Sequence, residues 1–352
     1  MRSHKSFLKH LLSTLIGDKF SAFIAAIATL ASLIINYILS PNLELIRILP
    51  IIISSIYLVY HLREIYILAS STYNAVSVPY SICLAKTSDW HKNTLRLQEE
   101  QLLNAGIPWI SIQSLFRIHK YDWAYFDTKK LSYENGAKDW MASINDVENH
   151  FDRLLNRIDK QVVVHFFFTV PESFAFILGT KIGHRVTPVV YQYAGFSQKP
   201  YFVVFDTSAF SSIQSYSMTK QRISQFEKIS INEIPGREPK SSSIIVSLED
   251  IGHPLPKSFP DCSERNIFEA KLNLDYKNQT LISQEWTLAA RESFSLVSSK
   301  IEEGLKVHLF LGLPSSLSFL VGMLLKSNND IIIYHYNRPE KKYYEVFNFS
   351  KL

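Results

Sequence analysis

Two stretches of the chain are apolar without interruption, VVVHFFFTV (162–170) and KVHLFLGL (306–313). Strands covered on both faces read this way, whereas half-exposed strands alternate, so each stretch predicts a buried strand of a parallel sheet. Shorter apolar runs at Val78–Ala85 (VPYSICLA) and Ser243–Leu248 (SIIVSL) predict the first strand of each half. Polar stretches of helical character follow at Thr94–Gly106 and Leu281–Gly304, and the glycine closing each suits a helix C-terminus. Strand followed by helix, repeated, predicts an α/β architecture.

The two halves repeat one another. VHFFFTVPESFAFILGTKI (164–182) aligns without gaps on VHLFLGLPSSLSFLVGMLL (307–325), bringing His165, Phe167, Pro171, Ser173, Phe176 and Gly179 onto His308, Phe310, Pro314, Ser316, Phe319 and Gly322. VVYQY with Tyr191 and Tyr193 then matches IIIYHY with Tyr334 and Tyr336, and YFVVF matches YYEVF. The expected domain is therefore a fused pair, about 78–206 and 243–352, with 207–242 as a partly helical linker containing Ser, Lys and Pro.

Before Val78 the pattern changes. Phe20–Leu39 holds 20 residues without a charge, enough at about 1.5 Å per residue to cross a hydrocarbon core of roughly 30 Å. Ile46–Leu62 is a weaker second span, with Arg47 and His61 at its ends; the alternative there is an interfacial or buried helix. Residues 1–70 are thus expected to form a two-helix anchor. Arg2, Lys5, Lys9 and Lys19 precede the first span, which places both termini of the multi-pass chain in the cytoplasm. Ser21, Ala25, Ala28, Ser32 and Asn36 form a small, polar stripe suited to close helix contact, within the chain or between chains.

Charge adds a limit. The net charge is +5, and the leader Met1–Lys19 supplies +3 of it (four basic residues against Asp18), so the body is nearly neutral and suits a small anion better than long nucleic acid. Cys83 and Cys262 support neither a disulfide framework nor a cysteine zinc site, and neither metal nor cofactor is expected. Phosphate-binding glycine loops, metalloprotease helices and nucleophile elbows are absent from the sequence, so no catalysis is expected.

Pro171 and Pro314 follow buried strands and suit the first position of a helix, which puts Ser173 and Ser316 in the first turn. Unpaired amides, the positive end of the dipole and a hydroxyl meet there, so the pair predicts either ordinary capping or an anion site duplicated at the strand ends. Glu172 aligns with Ser315: one half can accept from base amino or ribose hydroxyl groups while the other holds phosphate. His165 and His308 read as core histidines bonded to backbone. Tyr193 and Tyr336 end strands, as rim residues or as plain packing.

The paired HFFFTVPESFAFILG and HLFLGLPSSLSFLVG blocks, each leading into a strand with tyrosines, resemble the SAVED domain, the sensor of bacterial CBASS anti-phage systems, in the form that carries two N-terminal transmembrane helices. The resemblance implies two fused Rossmann-like, CARF-like units binding a cyclic oligonucleotide made by a CD-NTase, a cyclic trinucleotide rather than a dinucleotide. It further implies ligand-induced homo-oligomerisation and disruption of the lipid bilayer. The ligand-binding residues it implies are Lys86, Thr87, Ser88, Trp90, Thr169, Pro171, Glu172, Ser173, Tyr193, Ser247, Glu249, Gly312, Pro314, Ser315, Ser316, Tyr336 and Arg338. The competing classes are a membrane-tethered Rossmann-like hydrolase or nuclease acting on cyclic nucleotides, and a constitutive scaffold.

Overall fold

The structure, a computed structural model, describes residues 27, 29–35, 48–73, 75–84, 88–127, 131, 137–193, 201–206, 226–237, 242–250, 254–260, 265–274, 282–325 and 330–351. The chain divides into two compact units. One comprises Met1–Val78, Leu102–His119 and Arg157–Val162; the other comprises Pro79–Gln101, Lys120–Asn156 and Val163–Leu352.

The elements in chain order are α1 (Ile48–Tyr73), β1 (Val76–Leu84), α2 (Ser88–Asn104), α3 (Trp109–Phe116), α4 (Lys120–Trp123), β2 (Ala124–Asp127) and α5 (Ala137–Leu155). They continue as β3 (Val162–Thr169), α6 (Glu172–Ile182), β4 (Thr187–Tyr193), β5 (Tyr201–Phe205), β6 (Ile229–Ile234), β7 (Ser243–Asp250) and β8 (Ile267–Leu272). The last are α7 (Ile282–Glu302), β9 (Lys306–Gly312), α8 (Ser315–Leu325), β10 (Ile331–Asn337) and β11 (Lys342–Asn348).

The first sheet has the order β2-β1-β3-β4-β5 and the second β6-β8-β7-β9-β10-β11. Without β6 the second order is that of the first. The match extends to register: Tyr193 pairs with Tyr201 and Tyr336 with Tyr343 in antiparallel ladders, and each ladder has one irregularity just before Tyr191 or Tyr334. The α/β expectation therefore holds for both halves.

Three expectations need correction. Residues assigned to the linker include β6, which pairs antiparallel with β8; its start is held by Glu292 of α7, a fully buried carboxylate accepting from the amides of Glu227, Lys228 and Ile229 at 2.8, 2.9 and 3.0 Å. The counterpart of α7 is not α2 but α5, since these two immediately precede β3 and β9. Its signal was legible in Trp140, Ile144, Val147, Phe151 and Leu154, all fully buried at helical spacing. Third, the helix expected over Ile46–Leu62 begins at Ile48 and runs on to Tyr73, because Ile65 and Ala69 beyond the charged Arg63–Glu64 pair provide a buried face. The first expected span lies largely outside the described residues, as do Ser21, Ala25, Ala28 and Asn36 of the stripe. Among the described residues no helix is long and apolar enough to cross a membrane.

Both glycine stops are as predicted. Gly106 and Gly304 take φ of +76° and +77°, and the Ile107 and Leu305 amides reach back to Leu102 and Lys300 in Schellman geometry.

The two halves meet along α6 and α8. A Cβ built on Gly179 would sit 2.1 Å from the Phe319 carbonyl oxygen, and one on Gly322 would sit 2.0 Å from that of Phe176. Since Gly179 aligns with Gly322 and Phe176 with Phe319, the contact is a local two-fold written by the repeat. Phe319 also packs on Phe166 and Phe168 of β3, with centroids 4.8 and 4.7 Å apart.

The other face of each sheet carries one aromatic cluster in duplicate. Phe167 stacks on Tyr191 at 4.5 Å and Phe310 on Tyr334 at 4.5 Å, and Tyr201 and Tyr343 meet those phenylalanines edge-on at 5.1 and 4.9 Å. The covers differ. In the first half α2 lies over the cluster through Leu97, with Gln98 donating to the Tyr201 hydroxyl at 3.1 Å. In the second half Leu255 and Phe259 do so from the 254–260 loop, and Tyr343 donates to the Pro256 carbonyl at 2.9 Å.

The glycine crossing makes a direct prediction. Gly179→Ala or Gly322→Ala should each cost about 3 kcal/mol through backbone clash and lower the thermal midpoint by roughly 5–10 °C. The double variant should lose less than the sum, because one methyl group already separates the helices for the other. Thermal unfolding of the three variants measures this, and parent-like midpoints would show that the helices do not approach so closely.

Candidate functional site

Each repeat ends a buried strand, turns at proline and starts a helix that projects onto the other half. Pro171 is the N-cap residue of α6, one position earlier than expected; its φ of −57° suits the turn, and its carbonyl takes the first helical bond, from Ala175 at 3.0 Å. Pro314 is placed alike, accepting from Ser318 at 2.9 Å.

Of the serines of the first turns, Ser173 and Ser316 are buried at this junction and Ser315 is half-buried. Ser173 donates to the Tyr334 carbonyl at 2.9 Å, Ser315 to the Val170 carbonyl at 2.6 Å, and Ser316 to the side-chain oxygen of Gln192. Every one of these bonds crosses from one half to the other. Their hydroxyls thus hold the halves in register at the strand ends.

The repeat breaks its own symmetry here. Where Ser316 of α8 meets Gln192 of the first half, Glu172 of α6 meets His335 of the second, with Oε1 3.6 Å from Nδ1. Gln192 and His335 are equivalent, each lying between the two repeated tyrosines. One end is consequently neutral and amide-lined and the other carries a carboxylate and an imidazole. Neither Gln192 nor His335 was among the expected site residues, although the substitution of His for Gln between aligned tyrosines marks the position in the sequence.

Around the charged end the geometry gathers several expected residues. The Tyr343 hydroxyl is pushed well above its ordinary range first by burial and then by Tyr336, Glu249 and Glu172, so these three ionisable groups share one neighbourhood. His335 is pushed down to about 4, chiefly by burial and secondarily by Arg338, an exposed residue at the turn after β10. The Glu172 carboxylate favours the charged imidazole, but at 3.6 Å it does not offset burial. Trp140 covers the other side of the ring, centroids 5.3 Å apart.

The remaining expected residues have varied places. Thr169 and Gly312 end β3 and β9. The Glu249 carboxylate accepts from the Leu255 amide at 3.0 Å and so holds the loop over the second aromatic cluster. Ser247, two residues earlier on β7, keeps a buried hydroxyl with no hydrogen-bond partner among the described residues. Tyr193 leans on Tyr201 at 5.3 Å, as Tyr336 leans on Tyr343 at 4.9 Å. Lys86 and Thr87 lie outside the described residues, and Ser88 and Trp90 belong to the first turn of α2.

The mid-strand histidines are in the core, as expected, and His165 Nδ1 and His308 Nδ1 contact the hydroxyls of Tyr191 and Tyr334 at 3.0 and 2.9 Å. Burial pushes His165 down to about 4. Among the described residues no group of His, Cys, Asp and Glu is arranged to hold a metal ion.

Two buried neutral imidazoles imply acid sensitivity. Each has a folded pKa of about 4, below the roughly 6.5 of an unfolded histidine, so between those values the unfolded chain binds a proton that the folded chain refuses. Stability is complete above about pH 6.5 and should fall as pH drops toward 4, by about 1.4 kcal/mol per pH unit for each group. His165→Gln and His335→Gln should each flatten that slope in denaturant unfolding measured from pH 7 to pH 4.5; unchanged slopes would mean that these rings are charged in the fold.

Residues 194–349 match the model of the SAVED family, the SMODS-associated and fused to various effectors sensor domain. The matched stretch takes in β5 and the whole second sheet. No curated protein matches the chain. Among solved structures, the chain is similar to the Acinetobacter baumannii Cap4 SAVED/CARF-domain receptor with the cyclic trinucleotide 2'3'3'-cAAA, at 15% identity and a TM-score of 0.49, covering 82% of this chain and 55% of that one. It is also similar to the Moraxella osloensis Cap4 SAVED/CARF-domain receptor, at 15% identity and a TM-score of 0.45, with coverages of 82% and 54%. The chain spans about half the length of these receptors. The second half of this duplicated α/β body is therefore the part on which the SAVED family's sequence pattern is recognised.

Proposed function

We propose that this chain is a membrane-anchored receptor of CBASS anti-phage defence. Its duplicated α/β body binds a cyclic oligonucleotide, a cyclic trinucleotide rather than a dinucleotide, without chemical change. Binding drives assembly of the body, and assembly acts on the bilayer through the N-terminal region. The observation that carries this reading is the pseudo-symmetric junction with two unlike ends, within a chain whose residues 194–349 match a sensor family.

A ring of linked nucleotides presents alternating phosphates and bases, and a junction with equivalent but non-identical ends suits such a ligand. At the charged end, Arg338 supplies a cation for phosphate while Glu172 accepts from base amino or ribose hydroxyl groups. At the neutral end, Gln192 both donates and accepts. Tyr193 and Tyr336 offer ring faces to bases. The serines are committed to cross-half bonds and shape the site rather than react: Ser173 donates to a carbonyl and Ser316 to an amide oxygen, so neither hydroxyl is paired with a base. The anchor is supported by the uncharged run at Phe20–Leu39 and by exposed Ile52, Ile53, Ile56 and Val59 on α1.

Incubating the protein with cyclic di- and trinucleotides while measuring both binding and ligand breakdown tests the proposal. Binding without breakdown is expected; breakdown would favour the membrane-tethered hydrolase, and absence of binding the scaffold. Arg338→Gln should weaken binding roughly tenfold and reduce its salt dependence, as loss of one charge-assisted contact does. Glu172→Gln should change the preference among bases more than the affinity. If both variants match the parent for every ligand, the strand-end junction is not the site.

A further inference from the structure

Among the described residues, every large apolar side chain that is exposed, apart from Ile231 and Ile234 of the edge strand β6, belongs to the unit of Met1–Val78, Leu102–His119 and Arg157–Val162. Most of these are on α1 and in the helical residues before it. Leu103 and Ile110 are not. They come from the end of α2 and the start of α3, well after the anchor in sequence, and are 67% and 80% exposed. Their outward position is built in. Gly106 in left-handed backbone closes α2, Trp109 and Ile112 are buried on the opposite side of α3, and the Arg157 guanidinium donates to the Arg117 carbonyl at 3.1 Å where α3 stops.

The charge of the protein is distributed in the same way. This unit holds nine Lys and Arg against four Asp and Glu, a net +5, which equals the net charge of the whole chain; the sensor unit is neutral. Within Leu102–His119 and Arg157–Val162 the charged residues are Arg117, Arg157 and Lys160 against Asp159. Exposed large aliphatic groups together with an excess of cations, on one unit of a protein whose other unit is neutral and among the described residues exposes only Ile231 and Ile234, is the composition of a surface that meets anionic lipid headgroups.

We propose that Leu102–His119 is a second lipid-contacting element, in which Leu103 and Ile110 enter the headgroup region of the bilayer while Arg117, Arg157 and Lys160 favour anionic lipid. This rests on the membrane reading above and extends it. The anchor holds the chain to the membrane, and the second element fixes which side of this unit faces the lipid. A membrane-bound protein then has a defined orientation rather than a free tether.

The test uses the full chain with Cys262→Ser, leaving Cys83, which is 1% exposed, as the remaining native thiol. Ile110→Cys or Leu103→Cys, labelled with an environment-sensitive fluorophore, is reconstituted into phosphatidylcholine vesicles with or without phosphatidylglycerol. Some vesicles also carry a nitroxide at headgroup depth. Quenching at both positions is expected, severalfold stronger with phosphatidylglycerol and reduced at high salt, while a label at Glu303→Cys in the sensor unit stays unquenched. Vesicle-bound protein whose 103 and 110 labels behave like the 303 label overturns this inference and leaves the anchor standing. Protein that fails to float with vesicles overturns both. Quenching of the 110 label by a nitroxide at residue 103 of another chain, without lipid, would reassign the face to contact between copies and also overturn it.

Discussion

The closeness of α6 and α8 governs the architecture of the unit that contains them. Gly179 and Gly322 each bring a neighbouring backbone to a distance at which no side-chain carbon fits, and they do so reciprocally, each against the phenylalanine three residues before the other. Helix backbones that approach this closely exclude water, and their separation cannot be adjusted by side-chain rearrangement. The strand ends on either side are consequently fixed with respect to one another. The cross-half bonds of Ser173, Ser315 and Ser316 can form only because that spacing is fixed.

The same crossing explains how a repeat becomes a site with direction. Duplication gives each half the same strand order, the same register irregularity and the same aromatic cluster, all of which serve stability. Apart from the added edge strand β6, the differences named above lie on surfaces where the halves or their covers meet: Glu172 opposite Ser315, His335 opposite Gln192, a helix over one cluster and a loop over the other. Substitutions at those places leave both cores intact. A fused pair can therefore diversify its two ends independently, whereas a two-fold homodimer must change both together.

The sequence made the core of this arrangement legible and its edges much less so. Unbroken apolar runs identified β3 and β9 because two-sided burial permits no polar alternation, and the glycine stops were readable because left-handed backbone excludes most other residues. The gapless alignment paired Phe176 with Phe319 and Gly179 with Gly322, the residues that meet across the halves. It could not say that they touch, since contact between repeats depends on how the sheets face each other. β6 was hidden because only its first residue is buried: five of the six residues in ISINEI are exposed, so its hydrophobic pattern is weak and its place is set by the ladder with β8 and the Glu292 carboxylate. α5 is masked in the sequence by its polar composition, although its five buried residues repeat at helical spacing. Of the expected site residues, Glu172, Glu249 and Tyr336 lie around the Tyr343 hydroxyl, while Ser173 and Ser316, which the sequence left between ordinary capping and an anion site, are buried in bonds between the halves. His335 and Gln192 were missed because each looks like an ordinary polar interruption of a strand until the partner helix is placed over it.

A junction with no room for a methyl group also limits how a bound ligand can be reported. Sliding or rotating α6 against α8 would drive backbone into backbone, so opening the halves like a hinge is the least accessible motion. Parts attached to the rim are under weaker constraint: the 254–260 loop is held by the Glu249 carboxylate and the Pro256 carbonyl, and β6 lies at an open sheet edge. In the receptor reading, ligand energy is therefore spent on the rim and on the surfaces it presents to other copies, not on separating the halves. Rigidity at the centre is useful to such a receptor. In that reading, a ligand that completes a preformed junction alters neighbouring surfaces in one direction only, and assembly would depend on whether the ring fits both unlike ends at once.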